Sequence, residues 1–312
     1  MDGPLAGLPV STLLTLEIGW RELRMLEADG RRVTRHAEVT LPEGALEDGM
    51  PTALLTTAIH RALEANSFHA KTARVAIGDQ GIAIRDFRLP ALPTSELAGA
   101  VLFEGRRLVP MDPGDVYYAW HADRAPEGYR IYLVAARRDM IDGTTRTLTA
   151  AGLQTERIDL KPLALARGVA APDGLLLDWS PSEATLVLMV GGRPRFFRSF
   201  TLDAAPDDVA GQLDELTLSL NALVKFVRGA EPDVSIGRET PLYVSGRFAF
   251  VEGGMEQARI RFEFAVTEPT PRFRAPANFP WQAHLAGLGL LQPVRWHDRL
   301  TPSQGGDVRV AA

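Results

Sequence analysis

The chain has 312 residues, more than one ordinary domain of roughly 100–200 residues, so two lobes are expected. Hydrophobic residues make up 46% and charged residues 23%, which excludes extensive disorder. The lack of any cysteine excludes disulfides, thiolate catalysis, iron–sulfur clusters and cysteine zinc sites. The net charge of -5, with basic residues scattered rather than clustered, argues against a nucleic-acid groove.

In chain order, Pro4 to Leu16 is apolar but has no basic leading region or small-residue cleavage site, so it does not read as a signal peptide. Three short strands are predicted over Leu13 to Leu41 (LLTLEIGWRELRMLEADGRRVTRHAEVTL), with a tight glycine turn at Asp29 and Gly30. Thr52 to Ala65 carries apolar residues at helical spacing, and Arg74 to Ile77 and Gly81 to Leu89 read as strands. Leu89 to Pro93 is a rigid connector, because each proline fixes its own φ and biases its predecessor towards extended geometry. A helix follows from Thr94 to about Leu108, with Thr94 or Ser95 placed to cap it. Val116 to Trp120 and Tyr129 to Ala136 pair as strands, Asp139 caps a helix through Thr149, and Thr155 to Leu160 returns as a strand.

Gly174 to Leu202 (GLLLDWSPSEATLVLMVGGRPRFFRSFTL) again reads as three strands, with its turn at Gly191 and Gly192. A long helix from about Asp207 to Arg228 and a strand at Leu242 to Ser245 come next. Gly246 turns into a helix that runs past Glu256, and a strand at Phe262 to Val266 and a last helix at Trp281 to Leu291 complete the pattern. The polar tail from Thr301 should fray. The longest uncharged run, Ala275 to Val294, is long enough for a membrane span but carries Pro276, Pro280 and Pro293. Its backbone would be left unpaired in hydrocarbon.

The two strand triplets align without a gap at an offset of 161 positions, which brings Glu17 onto Asp178, Gly30 onto Gly191 and Leu41 onto Leu202. Any two β-meanders share some likeness, but an ungapped match with an acid and a glycine in register points to duplication.

A duplicated strand triplet followed by helices resembles the lobe of the actin, Hsp70 and sugar-kinase fold, a two-lobe α/β class. The stretch Phe87 to Pro93 (FRLPALP), then Glu96, Leu97, Ala100, Val101, Glu104 and Val109 to Met111, resembles the type IV pilus assembly protein PilM family, relatives of the division protein FtsA. Leu133 to Arg137, Ala151 to Leu153 and Pro162 to Leu165 continue the match. The resemblance implies a first lobe at 1–72, a PilM/FtsA-type insertion subdomain at 73–166, a second lobe at 167–300 and a flexible tail at 301–312.

It also implies an ATP crevice between the lobes, with two hairpin turns cradling phosphates and an acid in each ordering magnesium. Here the first turn reads Glu17, Ile18, Gly19, Trp20, Arg21, with a longer acid and an indole where a small donor is wanted. The second reads Asp178, Trp179, Ser180, Pro181, Ser182, where the family has Asp-x-Gly. The adenosine turn reads Ser245, Gly246, Arg247 where paired glycines are usual, and the arginine side chain should enter the nucleoside space. Phe200 to Leu202 runs almost directly into the helix bearing Leu213 to Leu216, Ser219, Leu220 and Phe226, so the family's lid subdomain is expected to be missing. These departures predict a degenerate nucleotide site and a pseudo-ATPase with no catalytic residue. Glu17 and Asp178 would then be solvated or paired with neighbours such as Arg21. No cofactor is expected, Mg-ATP being the one candidate.

No P-loop, dinucleotide fingerprint or nucleophile elbow is present. None of the six histidines pair at i,i+4, so no metal site is expected. Asp207, Asp208, Asp214 and Glu215 read as dipole-favoured acids in the first turns of a helix.

The resemblance implies a cytoplasmic scaffold held beneath the inner membrane in a pilus, competence or secretion apparatus. It would bind the short cytoplasmic N-terminal peptide of a PilN-like bitopic partner, alongside other platform proteins, and could homo-oligomerise. Candidate groove residues are Phe87, Leu89, Leu92, Leu97, Val101 and Leu108, each of which also suits ordinary core packing. The alternatives are a working ATPase or filament former, and a type II secretion L-like domain. The latter family carries a membrane helix after its actin-like part, and none is read after Leu291.

Overall fold

The structure, a computed structural model, describes residues 12–230, 234–270, 273–294 and 309–310. In chain order the first lobe opens with β1 (Thr12–Ile18), β2 (Glu22–Asp29) and β3 (Arg32–Thr40), the short ribbon β4 (Leu46–Glu47) and β5 (Met50–Pro51), α1 (Ala53–Ala65) and β6 (Thr72–Ile77). There follow β7 (Ile82–Pro90), α2 (Thr94–Leu108), β8 (Val116–Ala125), β9 (Gly128–Arg137), α3 (Arg138–Ala150), β10 (Gln154–Leu160) and α4 (Lys161–Val169). The second lobe comprises β11 (Gly174–Trp179), β12 (Glu183–Val190), β13 (Arg193–Thr201), α5 (Val209–Ala230), β14 (Pro241–Gly246), α6 (Gly254–Arg261), β15 (Ala265–Thr267) and α7 (Leu285–Leu291). β16 (Arg309–Val310) pairs with β10, and the rest of the 301–312 tail lies outside the described residues.

The duplication is visible in the hydrogen bonding. One sheet runs β16-β10-β6-β1-β2-β3 and the other β13-β12-β11-β14-β15, each an antiparallel triplet extended by parallel strands. The β2–β3 ladder bulges between Glu27 and Ala28, and the β12–β13 ladder bulges between Leu188 and Met189, the same place after the 161-residue offset. Gly30 and Gly191 occupy equivalent turns at φ +58° and +61°, backbone that side chains with a Cβ rarely adopt. A bulge conserved in position between two ladders is a feature of common ancestry rather than of meanders in general.

β6 and β10 pair within the first sheet, parallel to β1 and to each other. Only the segment between them, β7 to β9, forms a separate sheet, ordered β7-β9-β8. The distinct layer therefore spans 82–137, inside the 73–166 range read from sequence. Seven residues, 202–208, join β13 to α5.

Most elements fall where apolar periodicity places them, and the departures occur at their ends. Thr52, read from sequence as the first residue of α1, is instead its N-cap, accepting from the Leu54 N–H at 3.2 Å. Neither Thr94 nor Ser95 caps α2; Pro93 precedes it without a side-chain bond. Asp139 lies inside the first turn of α3, where its Oδ1 accepts from the Met140 N–H at 2.7 Å. α7 begins at Leu285 rather than Trp281, because Pro280 to His284 is taken up by turns. α4 has no counterpart in the sequence reading. It is short, lacks a side-chain cap and is buried almost all round, so it shows no amphipathic period.

α4 and α7 pack together between the two sheets, over a core that includes Ala164, Leu165, Leu176, Val187, Leu285 and Leu290. The approach is close and reciprocal: a Cβ on Gly168 would meet the Leu285 carbonyl, and one on Gly289 would meet the Ala164 carbonyl. Each lobe also has its own core, and a fourth lies beneath α2. Among the described residues, no helix is long and apolar enough to cross a membrane.

Candidate functional site

The two hairpin turns are built alike. The Gly19 N–H donates to the Glu22 carbonyl at 2.8 Å, and the Ser180 N–H donates to the Glu183 carbonyl at 2.8 Å. Both turns point into the junction between lobes, with β1 delivering Glu17 and β11 delivering Asp178 at their C-terminal ends. Strand register places Arg24 opposite Glu17 and Glu38 opposite Arg24, forming a charged row across the first triplet. In the second sheet Asp178 faces Ser245 across the parallel β11–β14 pair.

Lys161, the first residue of α4, fills the space between the turns. Its Nζ lies 3.0 Å from Glu17 Oε1, 3.0 Å from Asp178 Oδ2 and 3.1 Å from Glu183 Oε1, with the side chain only 3% exposed. Arg24 completes the cluster. Its guanidinium meets Glu17 at 3.2 Å, Glu22 at 2.7 Å and Glu38 at 3.4 Å, and donates to Ser180 Oγ at 3.0 Å. Five carboxylates thus surround two cations. Ser245 Oγ donates to Asp178 Oδ1 at 2.6 Å.

The electrostatics follow from burial opposed by charge. Burial alone would lower the Lys161 ammonium, but Asp178, Glu17 and Glu183 outweigh it and hold the pKa well above the ordinary lysine value. Burial would raise Asp178, yet Lys161, Arg24 and the Ser245 hydroxyl keep its carboxyl below the usual range. Glu22 behaves differently: burial dominates over Arg24 and pushes it up to about 7.

Glu17 and Asp178 are therefore buried members of one ion cluster, not solvated hairpin acids. Arg21 does not pair with them; it lies on the exposed side of its turn, 4.0 Å from Glu43. The physical reason is alternation along the strand: Arg24, in register with Glu17, shares its face. Trp20 is 38% exposed, and its backbone N–H donates to Glu183 Oε2 at 3.4 Å. The Ser182 carbonyl accepts from the Leu202 N–H, as the Arg21 carbonyl does from Leu41 in the first copy.

At the third turn, Gly246 has φ +74°, and a Cβ there would strike the Trp179 carbonyl, so this glycine is required by packing alone. Arg247 folds over the Trp179 ring, 5.0 Å from its centroid, and donates to Gln212 Oε1 at 3.0 Å. The indole N–H of buried Trp179 donates to the same oxygen at 2.8 Å.

Beside the cluster opens a cavity of about 120 Å³, lined by Trp20, Leu46, Pro51, Ile77, Met140 and Phe200, with Lys161 and Glu183 at one side. The six groove residues read from sequence lie elsewhere. Leu97 and Val101 are buried in the core beneath α2, Phe87 and Leu89 pack half-buried against that core, and Leu92 and Leu108 are half-buried nearby. Among the described residues, no group of histidines or carboxylates is arranged to hold a metal ion.

Lys161, Arg24, Glu22 and Glu183 escaped the sequence reading. The repeat carried a signal for two of them, since the 161-residue offset brings Glu22 onto Glu183. Lys161 stands out only as one of three lysines in a chain whose other basic residues are arginine.

By family comparison, residues 15–190 match the type IV pilus assembly protein PilM. No curated protein matches the chain by sequence. Among solved structures it is similar to the PilM–PilN type IV pilus biogenesis complex at 22% identity, with a TM-score of 0.73 over 91% of this chain and 98% of that one. It is also similar to the cytoplasmic domain of EpsL, an inner-membrane component of the type II secretion system of Vibrio cholerae. That match has 13% identity and a TM-score of 0.53 over 91% of this chain and 97% of the other. Ethanolamine utilization protein EutJ from Carboxydothermus hydrogenoformans matches at 11% identity, with a TM-score of 0.51 over 91% and 90%. These structural likenesses establish the two-lobe, actin-like fold.

Proposed function

The chain belongs to the type IV pilus assembly protein PilM family, and from that membership we propose that it is a docking scaffold of a pilus or secretion platform whose nucleotide crevice has been given up. The observation that carries this reading is Lys161. Its ammonium stands between the acids of both hairpins, where a phosphate-bound cation would have to sit, and the surrounding carboxylates outnumber the cations. A triphosphate entering there would meet net negative charge at low dielectric, and the two buried cations at the turns, Lys161 and Arg24, are already engaged by carboxylates. Arg247, stacked on Trp179, supports the same reading at the third turn.

Docking needs no cofactor, and the apolar cavity beside Trp20 suits it. Its lining of Leu46, Pro51, Ile77, Met140 and Phe200 fits a few apolar side chains of an extended peptide. The similar solved structure is a complex with PilN, so the proposed occupant is the short cytoplasmic N-terminal segment of a PilN-like membrane protein. That interaction would hold the chain against the inner membrane.

Two titrations test the proposal on the intact chain. Calorimetry with Mg-ATP is expected to show no binding heat, and micromolar affinity would overturn the loss of nucleotide. A fluorescent peptide copying the partner's cytoplasmic N terminus is expected to bind saturably. Its failure to bind folded protein would overturn the docking role.

A further inference from the structure

We propose that Lys161 is a resident cation that fastens the two lobes shut, a tethered ammonium acting where a diffusible ion would otherwise bridge the same carboxylates. It reaches across the junction: Glu17 belongs to the first lobe, Asp178 and Glu183 to the second, and all three lie within 3.1 Å of its Nζ. Arg24 cannot take over, because its guanidinium is already committed to Glu17, Glu22, Glu38 and Ser180. Without Lys161, the largely buried Glu17, Asp178, Glu183 and Glu22 would be left with Arg24 as their one cation, and mutual repulsion would drive the lobes apart. A cation tethered covalently through its own side chain cannot dissociate, so closure would not depend on any ligand.

Further ties support the closed arrangement on another side. β13 sends Arg193 to Asp123 and Arg195 to Asp86, and the Ser199 N–H donates to Asp79. The two arginine pairs are partly exposed, so the lobe angle is set by the apolar α4–α7 layer between the sheets together with the buried cluster, the part of that junction where unpaired charge would force opening.

This inference rests on the crevice being non-catalytic. Because the chain has no cysteine, two can be introduced for spin labels on exposed sites of the two lobes, Thr57→Cys on α1 and Asn221→Cys on α5. The labelled parent is expected to give one narrow interlabel distance that neither Mg-ATP nor chelator changes. Lys161→Ala should broaden and lengthen it, and propylammonium or millimolar calcium should narrow it again, since either can enter the vacated space among oxygen ligands. Lys161→Met, whose side chain fills that space, should open and not respond. Should Lys161→Ala fail to fold, refolding with and without propylammonium gives the readout, with soluble monomer expected only in its presence. A Lys161→Ala protein that keeps the parent distance, or that neither cation restores, overturns the inference. A parent that binds Mg-ATP would instead overturn the functional reading, so the two fail separately.

Discussion

The Arg24 guanidinium donates to the Ser180 hydroxyl at 3.0 Å, so a strand of the first lobe is bonded directly to the turn of the second that corresponds, by the internal repeat, to Gly19. The turn position that departs from glycine in the second copy has become an anchor for the other lobe.

Arg24→Met is expected to destabilise the fold by about 3–5 kcal/mol, because it leaves buried Glu17 with Lys161 alone and takes from Glu22 its ion-pair partner. Urea unfolding measures this as a lower midpoint. A loss below about 1 kcal/mol, the range of exposed pairs, would show that the cluster is wetter than its burial indicates.

Glu22 should leave a signature in pH. Its carboxyl is raised from 4.5 to about 7, chiefly by burial, so the folded state retains a proton that the unfolded chain releases. That group's contribution is present below about 4.5 and is lost as pH rises to about 7. Glu22→Gln is therefore expected to match the parent near pH 4 and to exceed its stability by on the order of 2–3 kcal/mol above pH 7. Thermal melts across that range check it, and a difference that shrinks with rising pH would contradict it.

Gly289→Ala should destabilise by at least about 1–3 kcal/mol, since the new Cβ would overlap the Ala164 carbonyl and force α7 away from α4. The conformational gain that alanine normally brings to a helix, about 1 kcal/mol, acts the other way and is smaller. A raised melting temperature in this variant would show that the helices are not in close contact.

Trp20→Ala is expected to weaken binding of the partner peptide at least about tenfold, as loss of an aromatic anchor does. The unfolding midpoint should barely move, because the indole is 38% exposed and lies outside the core. Leu97→Ala should do the reverse, lowering stability by about 2–5 kcal/mol through its buried contacts while sparing affinity in protein that remains folded.

How much of this was legible in the sequence differs between fold and site. The duplicated triplets were readable because strand patterning and turn glycines are local, and the 161-residue offset holds down to the matching bulges at Glu27 and Leu188. Helices with one buried face, α1 and α5, were readable for the same reason. α4 was not, because a helix buried on every side has no polar stripe to set its period. The packing of the groove residues was not legible, because an apolar helix face looks the same whether it covers its own sheet, as Leu97 and Val101 do, or awaits a partner.

The sequence by itself determined the repeat, the two-lobe class and the positions of both hairpin acids, since all of these rest on patterns confined to a few neighbouring residues. Only the tertiary structure decided what those acids face. Glu17, Asp178 and Glu183 meet at Lys161 from separate strands, and a charge is defined by its neighbours in space rather than along the chain.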